Sequence, residues 1–500
     1  MPRHGKKEGG VSRLSQSDAS NPLVRGIGLP GAIALNVINM VGVGPFITLP
    51  LIVLAMHGNQ AILAWILAAG LAACDGLVWA ELGAAMPRAG GSYWYLRTIY
   101  GPERAGRFLS FLYIWQLTFS APLSIASGCV GLAQYAGYLF PVLRETWFSY
   151  RLPIPVPFAR AFSLTILIGP GTLVAMAACA AAAALLFRNI RSVARGATWL
   201  WCGVMAALLM VIVAGLSHFH PQMAFGFSPH TFAPSRGFLT GLGAAMLIAT
   251  YDYWGAYSVN FLGGEVRDPG RTIPRAILLS VGVVAVLYLL MNTSVLGLIP
   301  WSEFAVASNA RYSVASVVVG RTFGPVAAKV VTVLILWTAF ASVYALLLSY
   351  SRVPYAAALD GNYFRIFSRF DSRHGLPAVS LLALAAVAML FCTLQLADLV
   401  AALVVIRILL QFVLQHIGVM VLRHTHPEME RPFRIWLYPL PPLLAIAGFL
   451  YVLFARPGFA REIYFAAILV VTGSILYLVR SGRRREWPFA EASDSEIKTA

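Results

Sequence analysis

An acidic residue stands in the middle of a long apolar stretch, Tyr251-Asp252-Tyr253-Trp254-Gly255, inside the run from Phe238 to Gly264. Asp252 is the only charged residue of that run, which is long enough to cross a bilayer, since a spanning helix takes about 20 residues. An ionisable side chain at that depth costs roughly 3 kcal/mol on insertion scales and usually faces protein or a water-filled path. The pattern therefore indicates a functional site at Asp252.

The whole chain has the composition of a membrane protein. Of its 500 residues 59% are hydrophobic and 11% are charged, whereas soluble domains are about 25% charged. Twelve apolar runs approach the required length and predict an all-α polytopic membrane protein with twelve transmembrane helices. These runs are Gly28–Met56, Ala61–Met86, Phe108–Phe140, Ser163–Phe187, Ala197–Leu216, Phe238–Gly264, Ala276–Ile299, Val330–Ser351, Leu376–Leu396, Leu399–Leu422, Leu437–Phe454 and Ile463–Val479.

The positive charges predict how the chain sits in the membrane. Most of the 37 Lys and Arg residues fall in every second loop and in the two tails, and loops rich in these residues stay in the cytoplasm. Both termini of this cell-membrane protein are therefore predicted to be cytoplasmic, with residues 1–24 and 481–500 as disordered tails. The net charge of +17 is a topology signal, and no nucleic-acid partner is predicted.

The cysteines do not indicate a disulfide framework or a zinc site. All five lie within predicted spans, without a CxxC pair and without a histidine at ligand spacing. They are Cys74, Cys129, Cys179, Cys202 and Cys392. No metal and no cofactor is predicted.

The first span is interrupted by residues that weaken a helix. Asn39 to Phe46 reads NMVGVGPF, with Gly42 and Gly44 adding backbone freedom and Pro45 removing a hydrogen bond. Proline suits the first turn of a new helix, so the pattern favours two half-helices separated near Gly42 to Gly44. A kinked span or a close helix crossing is the alternative.

A second disturbance follows five spans later, around Tyr251 to Gly255. Paired breaks in corresponding helices indicate two inverted five-helix repeats, here 25–216 and 236–424, with helices 431–480 appended. A site at their junction suits a zwitterion. Free amides of Val43, Gly44 or Phe46 would hold a carboxylate at a helix start, and free carbonyls from Ala249 to Tyr251 would receive an ammonium group.

Four segments resemble signatures of the amino acid, polyamine and organocation transporter superfamily, whose members share a leucine-transporter-like five-plus-five fold. They are Ala80–Tyr93 (AELGAAMPRAGGSY), Gly264–Ala276 (GEVRDPGRTIPRA), Leu359–Pro377 and Arg431–Arg434 (RPFR). The resemblance covers nearly the whole chain in order. It implies transport of a small molecule, an amino acid or alternatively a polyamine.

Two branches of that superfamily are represented in one site. Gly42–Phe46 (GVGPF) is similar to the plant polyamine-uptake branch. Tyr251, Asp252 and Trp254 are similar to the light-chain amino acid exchangers, where an acid at this place accompanies cationic substrates. Those exchangers close an aromatic side chain over the substrate at the position that Ala249 takes here.

Several roles fit the charged residues inside the spans. Asp252 is consistent with a ligand for a cation, a proton carrier or half of an ion pair. Arg407, Gln411 and Gln415 follow at four-residue steps on one helical face. Arg407 fits a coupling role, or a buried ion pair with Asp75 or Asp252.

Hydroxyls and aromatic residues complete the candidate site. Thr338 and Ser342 share a helical face and are candidates for holding a coupling sodium ion, the alternative being bonds to their own backbone. Trp115, Gln116 and Tyr344 are candidate pocket walls, or simple packing.

Two further acids lie near the predicted inner ends. Glu81 and Glu265 are expected to pair with Arg88, Arg97 or Arg267 and so to shape a cytoplasmic gate.

Motifs of other membrane proteins are missing from the sequence. Gly241-Leu242-Gly243 is followed by alanine and not by the acid of a membrane aspartyl protease, and neither HExxH nor GxxxxGK[ST] occurs. Repeated rings of one pore residue, typical of a channel, are not visible. The sequence predicts a secondary transporter and no enzyme, working among membrane lipids and driven by protons, by sodium or by exchange.

Overall fold

The computed structural model describes residues 23–154, 162–187, 190–227, 231–305, 309–394, 404–455 and 459–489. Residues 1–22 and 490–500 of the predicted tails lie outside the described residues, as does the predicted junction between the ninth and tenth spans at 395–403.

Helices account for nearly all of the regular structure. We number them α1 Leu29–Val41, α2 Gly44–Met56, α3 Ala61–Ala85, α4 Ser92–Ile99, α5 Ala105–Leu139, α6 Pro170–Leu186, α7 Ile190–Ser217, α8 Pro221–Phe225, α9 Arg236–Asp252, α10 Ser258–Phe261, α11 Pro269–Leu296, α12 Asn309–Tyr312, α13 Val314–Leu359, α14 Ala378–Phe391, α15 Val404–Thr425, α16 Leu440–Phe454 and α17 Phe459–Arg484. Single 3₁₀ turns cover Pro141–Arg144, Gly263–Glu265, Trp301–Phe304 and Arg365–Ser368.

The described helices define a multi-pass, all-α membrane protein. Seven are long and apolar enough to cross a bilayer, and α1 with α2 makes an eighth span bent by 42°. The shorter apolar helices α6, α14 and α16 accompany them. The count of twelve spans and the division into two inverted repeats stay predictions.

The fourth predicted span begins too early. Two antiparallel strands, β1 Phe148–Ile154 and β2 Phe162–Ile168, form a hairpin, and α6 begins only at Pro170. The predicted start at Ser163 is therefore wrong. A short apolar run such as Phe162–Ile168 fits a strand as well as a helix, and Gly169 with Pro170 marks the boundary.

The end of the chain is more ordered than predicted. Helix α17 continues to Arg484, and the carboxylate of Glu486 accepts from Arg107 at 2.7 Å. The carbonyl of Trp487 accepts from the Tyr477 hydroxyl at 2.8 Å. These contacts hold residues 481–489 against the bundle, so the prediction of disorder is wrong for that part of the tail.

The first span breaks as the glycines predicted. Gly42 has φ 37° and ψ −148°, a conformation that L side chains rarely adopt. Helix α2 starts two residues later with Pro45 in its first turn. The break therefore separates two half-helices.

The sixth span breaks directly against the first. Helix α9 ends at Asp252, and the short helix α10 follows after a turn. A Cβ on Gly255 would lie only 2.6 Å from the backbone carbon of Asn39, so glycine is required for the two breaks to touch.

Side chains of neighbouring helices satisfy the backbone groups that the breaks release. The Tyr288 hydroxyl of α11 lies 2.8 Å from the Met40 carbonyl and 3.3 Å from that of Asp252. The Asn36 side-chain oxygen accepts from the Val259 amide at 3.0 Å. Such partners are required because a bilayer offers none.

We predict that Tyr288→Phe destabilises the protein, because it leaves two buried carbonyls without their donor. The expected cost is about 1–3 kcal/mol, seen as a lower midpoint of thermal unfolding in detergent. Tyr253→Phe is the matched control, since the Tyr253 ring packs 5.2 Å from that of Tyr288 while its buried hydroxyl has no hydrogen-bond partner. Equal midpoints for the two variants would contradict this role of Tyr288.

Candidate functional site

The two helix breaks enclose a cavity of about 80 Å³, which is room for several water molecules. Its walls come from the first and sixth spans and from α5, α13 and α15. The lining residues are Asn39, Met40, Gly42, Val43, Gly44, Ser124, Ser127, Gly128, Tyr251, Asp252, Trp254, Ser342, Leu346, Tyr350 and Arg407.

Asp252 places a half-satisfied carboxylate in this cavity. The residue is 3% exposed, and its Oδ2 accepts from the Thr48 hydroxyl at 2.6 Å. Its Oδ1 has no hydrogen-bond partner and would collide with a Cβ on Gly44. Because a buried carboxylate without partners is strongly disfavoured, Oδ1 is poised to accept a proton or a cationic group.

The start of α2 lies beside that carboxylate. The first amides of a helix have no partner within the helix and carry partial positive charge. Gly42, Val43 and Gly44 line the cavity, so little side-chain bulk separates the start of α2 from it. The cavity thus offers anion-binding amides and a free carboxylate oxygen side by side.

Arg407 brings a cation to the same cavity without pairing with Asp252. Its guanidinium carbon lies 5.4 Å from the ring centre of Trp254, and Nη2 lies 3.2 Å from the hydroxyl of Tyr350. Among the described residues no carboxylate lies within ion-pair distance of Arg407. The predicted ion pair with Asp75 or Asp252 is therefore wrong for this conformation.

The helix that carries Arg407 changes its period directly after it. Ile408–Val413 forms a π-helical segment, so the even four-residue stripe through Gln411 and Gln415 is not maintained. Gln415 instead donates to the Ser92 hydroxyl at 3.2 Å. Segments of this kind occur frequently at functional sites.

Some candidate residues lie outside the cavity. Phe46 is buried against Tyr135, and Ala249 is fully buried. The Trp115 indole faces α17 and donates to the Leu469 carbonyl at 3.0 Å. Gln116 accepts from Ser120 at 2.9 Å within α5. Tyr344 is buried but is not among the lining residues.

The two sodium candidates bond to their own helix. Thr338 donates to the Leu334 carbonyl and Ser342 to the Ala339 carbonyl, each at 2.8 Å. Only Ser342 also lines the cavity. The sodium role stays a prediction.

The two inner acids have other partners than expected. Glu265 forms a two-pronged ion pair with Arg352, with Oε1–Nε at 2.8 Å and both side chains at most 2% exposed. Glu81 pairs with Arg423 and Arg431. The expected partners Arg88, Arg97 and Arg267 were wrong, because the acids bind arginines that are distant in the sequence and that packing brings near.

Sequence reasoning missed the cavity walls contributed by α5 and α13. Ser124, Ser127 and Gly128 form a small-residue face on α5, and Tyr350 lies two four-residue steps beyond Ser342 on α13. Helical spacing from Ser342 was the available signal for Tyr350.

Broken helices around a charged cavity are an arrangement found in secondary transporters. The chain belongs to the amino acid permease family, whose model matches residues 27–475. This confirms the superfamily resemblance seen in the sequence.

Similar proteins extend over most of the chain. The serine/threonine exchanger SteT of Bacillus subtilis (strain 168) is 27% identical over 87% of this chain and 91% of its own. The branched-chain amino acid permease BcaP of Lactococcus lactis is 24% identical, with 86% and 88% covered. The human Asc-type amino acid transporter 1 is 27% identical, with 83% and 74% covered.

We predict that Gly44→Val abolishes substrate binding while the protein still inserts and elutes as a single species. The new side chain would displace the Asp252 carboxylate and cover the free amides. Gly31→Ala is the control, since its Cβ would meet Ile27 at an ordinary 3.6 Å. Normal binding by Gly44→Val, measured with labelled substrate, would rule out the open helix break as the site.

We predict that Arg407→Gln retains substrate binding but loses turnover. Glutamine keeps hydrogen-bonding groups near Ser120 and Tyr350 but removes the charge that interacts with the Trp254 ring. Binding of labelled substrate to purified protein and uptake by proteoliposomes separate the two effects. Wild-type uptake by the variant would reduce Arg407 to a packing role.

Proposed function

We propose that this permease carries amino acids across the cell membrane by alternating access, as a proton-coupled symporter or an exchanger with both termini in the cytoplasm. The names of its relatives, a serine/threonine exchanger, a branched-chain amino acid permease and an Asc-type amino acid transporter, support amino acids as the substrate class. The family and these relatives are transporters, which supports a function without catalysis.

The observation that carries the proposal is the free Oδ1 of Asp252 beside the start of α2. A zwitterion matches that pair of features, because its carboxylate fits the helix-start amides and its ammonium group fits the free carboxylate oxygen. Substrate binding then supplies the partner that Oδ1 lacks. A cationic side chain is a second group that Asp252 would accept, as the resemblance to the exchangers implies.

Arg407 argues against a polyamine. A polyamine carries only positive groups, and the unpaired guanidinium would repel it inside a cavity of low dielectric constant. An amino acid brings a carboxylate and suffers no such penalty. We therefore favour amino acids over the polyamine alternative.

The ion pairs at the predicted inner face support a closed cytoplasmic side in this conformation. Glu265 with Arg352 links the end of the sixth span to α13, and Asp360 with Arg97 links α13 to α4 at 3.0 Å. Both pairs join segments that must separate when the cavity opens inward. They are therefore candidates for the gate.

The direct test is an uptake panel in proteoliposomes. Labelled serine, leucine, lysine and putrescine are offered with and without a pH gradient, and with and without sodium. The proposal predicts saturable uptake of amino acids and no uptake of putrescine, and the arm with sodium tests the predicted role of Thr338 and Ser342. Uptake of putrescine alone would overturn it.

We predict that Asp252→Asn impairs uptake of every amino acid, most strongly of lysine, and flattens the pH dependence of uptake. The amide keeps the shape of the side chain but carries neither charge nor a titrating proton. Asp268→Asn is the matched control, because Asp268 is exposed and its φ of 43° suits asparagine. If Asp252→Asn transports every substrate with the wild-type pH profile, the carboxylate is structural.

A further inference from the structure

A second pair of titratable side chains lies in the membrane, away from the cavity. Asp75 of α3 and His416 of α15 approach each other with Oδ1–Nε2 at 3.3 Å. Asp75 is 7% exposed and His416 is fully buried. The substrate site described above uses neither of them.

The hydrogen bonds around His416 determine which nitrogen carries a proton. Nδ1 lies 2.6 Å from the carbonyl oxygen of Phe412, and a carbonyl oxygen only accepts, so Nδ1 carries hydrogen. In a neutral imidazole Nε2 then has only a lone pair. Nε2 is buried and makes no other polar contact among the described residues.

The lone pair on Nε2 therefore faces the oxygen of a carboxylate. Asp75 Oδ1 already accepts from the Trp79 indole at 3.0 Å, which fixes its direction. Two acceptors in contact repel each other in a dry interior. The contact becomes attractive when one proton lies between them, either as a carboxylic acid with a neutral imidazole or as an imidazolium with a carboxylate.

We propose that Asp75 and His416 form a proton-binding site that couples proton movement to amino acid transport. This proposal rests on the transport function proposed above. The pair takes up one proton from water on one side of the membrane and releases it to the other side, so its net charge alternates between zero and −1. Without the proton the two side chains repel, which favours separation of α3 from α15.

The pair is connected to two of the elements that line the cavity, α15 and the sixth span. His416 holds the carbonyl of Phe412 within the π-helical segment that follows Arg407, and the Phe412 ring stacks on Trp254 at 4.9 Å. On the other side, the Trp79 ring stacks on Tyr257 in the turn of the sixth span at 4.3 Å. A shift of α15 relative to α3 therefore reaches the cavity through direct contacts.

The other titratable groups near the pair are a thiol, two phenols and one acid that is paired with an arginine. Cys74 adjoins Asp75, and Tyr95 and Tyr257 contact the ring of Trp79, the hydrogen-bond partner of Asp75. Glu81 and its partner Arg423 lie further along the same two helices. Thiols and phenols are ordinarily neutral near pH 7, and Glu81 is compensated by its arginine. From α16 the apolar ring of Phe449 covers His416 at 5.7 Å.

Asp75→Asn tests the proposal because it removes both the charge and the titrating proton of the pair. Trp79 and His416 both contact Oδ1, so the amide either donates to Nε2 or accepts from the Trp79 indole. In proteoliposomes loaded with unlabelled amino acid, exchange for labelled amino acid is expected to proceed at nearly the wild-type rate. Uptake driven by a pH gradient, and the lumenal acidification that a pH-sensitive dye reports, are expected to be lost.

Asp371→Asn is the matched control. Asp371 also contacts a histidine, His374, at 2.7 Å, but both side chains are about one-third exposed. This variant is expected to move protons like the wild type. If Asp75→Asn moves protons like the wild type and its uptake keeps the wild-type pH profile, the proposal is overturned.

A second variant keeps the proposal testable if Asp75→Asn fails to fold. Trp79→Phe removes the donor that stabilises the Asp75 carboxylate, so the pair should bind its proton more tightly. The pH dependence of uptake is then expected to shift toward alkaline pH, and an unshifted profile would contradict the proposal. Both outcomes differ from failure of the transport function, in which the wild-type protein takes up no amino acid at all.

Discussion

The structure depends on the rule that every backbone polar group inside a bilayer needs a partner from the protein or from a cavity. The first and sixth spans are each interrupted within their apolar run, and each interruption releases amides and carbonyls. Tyr288 and Asn36 satisfy part of them, at Met40, Asp252 and Val259. The groups at the start of α2 are left facing the cavity, where a ligand can satisfy them.

The charged side chains also fall into two groups, those that stabilise the fold and those that are available to a ligand. Near the predicted inner face the acids Glu81 and Glu265 are held by arginines at short distance. Loss of one partner of such a buried pair strongly destabilises a protein, because it leaves an uncompensated charge in the interior. In the cavity, Asp252 and Arg407 remain without ionic partners among the described residues. A site that holds one unpaired acid and one unpaired base is suited to a zwitterion and not to a polycation.

Local sequence signals were sufficient for the helix breaks and for most cavity residues of the first and sixth spans, although Phe46 and Ala249 lie outside the cavity. Gly42, Gly44 and Pro45 act through the local backbone conformation, so they predict a helix break whatever the surrounding packing. A single acid in an apolar run is likewise recognisable without knowing how the helices pack. The rotation of each helix and the direction of its side chains depend on packing, so local sequence does not predict them. The rotation of α5 and α13 places Ser124 and Tyr350 in the wall, and the π-helical segment of α15 changes the direction of residues after Arg407.

Errors arose where sequence proximity stood in for spatial proximity. Glu265 was assigned to arginines of nearby loops, whereas it binds Arg352 of α13. Phe162–Ile168 was included in a span because a short apolar run does not distinguish a strand from a helix. The ion-pair partner of Glu265 and the strand at Phe162–Ile168 both depend on which segments pack together.

The most direct test of the account is an experimental structure with a bound amino acid that the protein transports. The account predicts the substrate between the two breaks, with its ammonium group or cationic side chain within hydrogen-bond distance of Asp252 Oδ1 and its carboxylate at the amides that begin α2. A substrate bound elsewhere, or bound here with Asp252 still making only its contact with Thr48, would contradict the central claim.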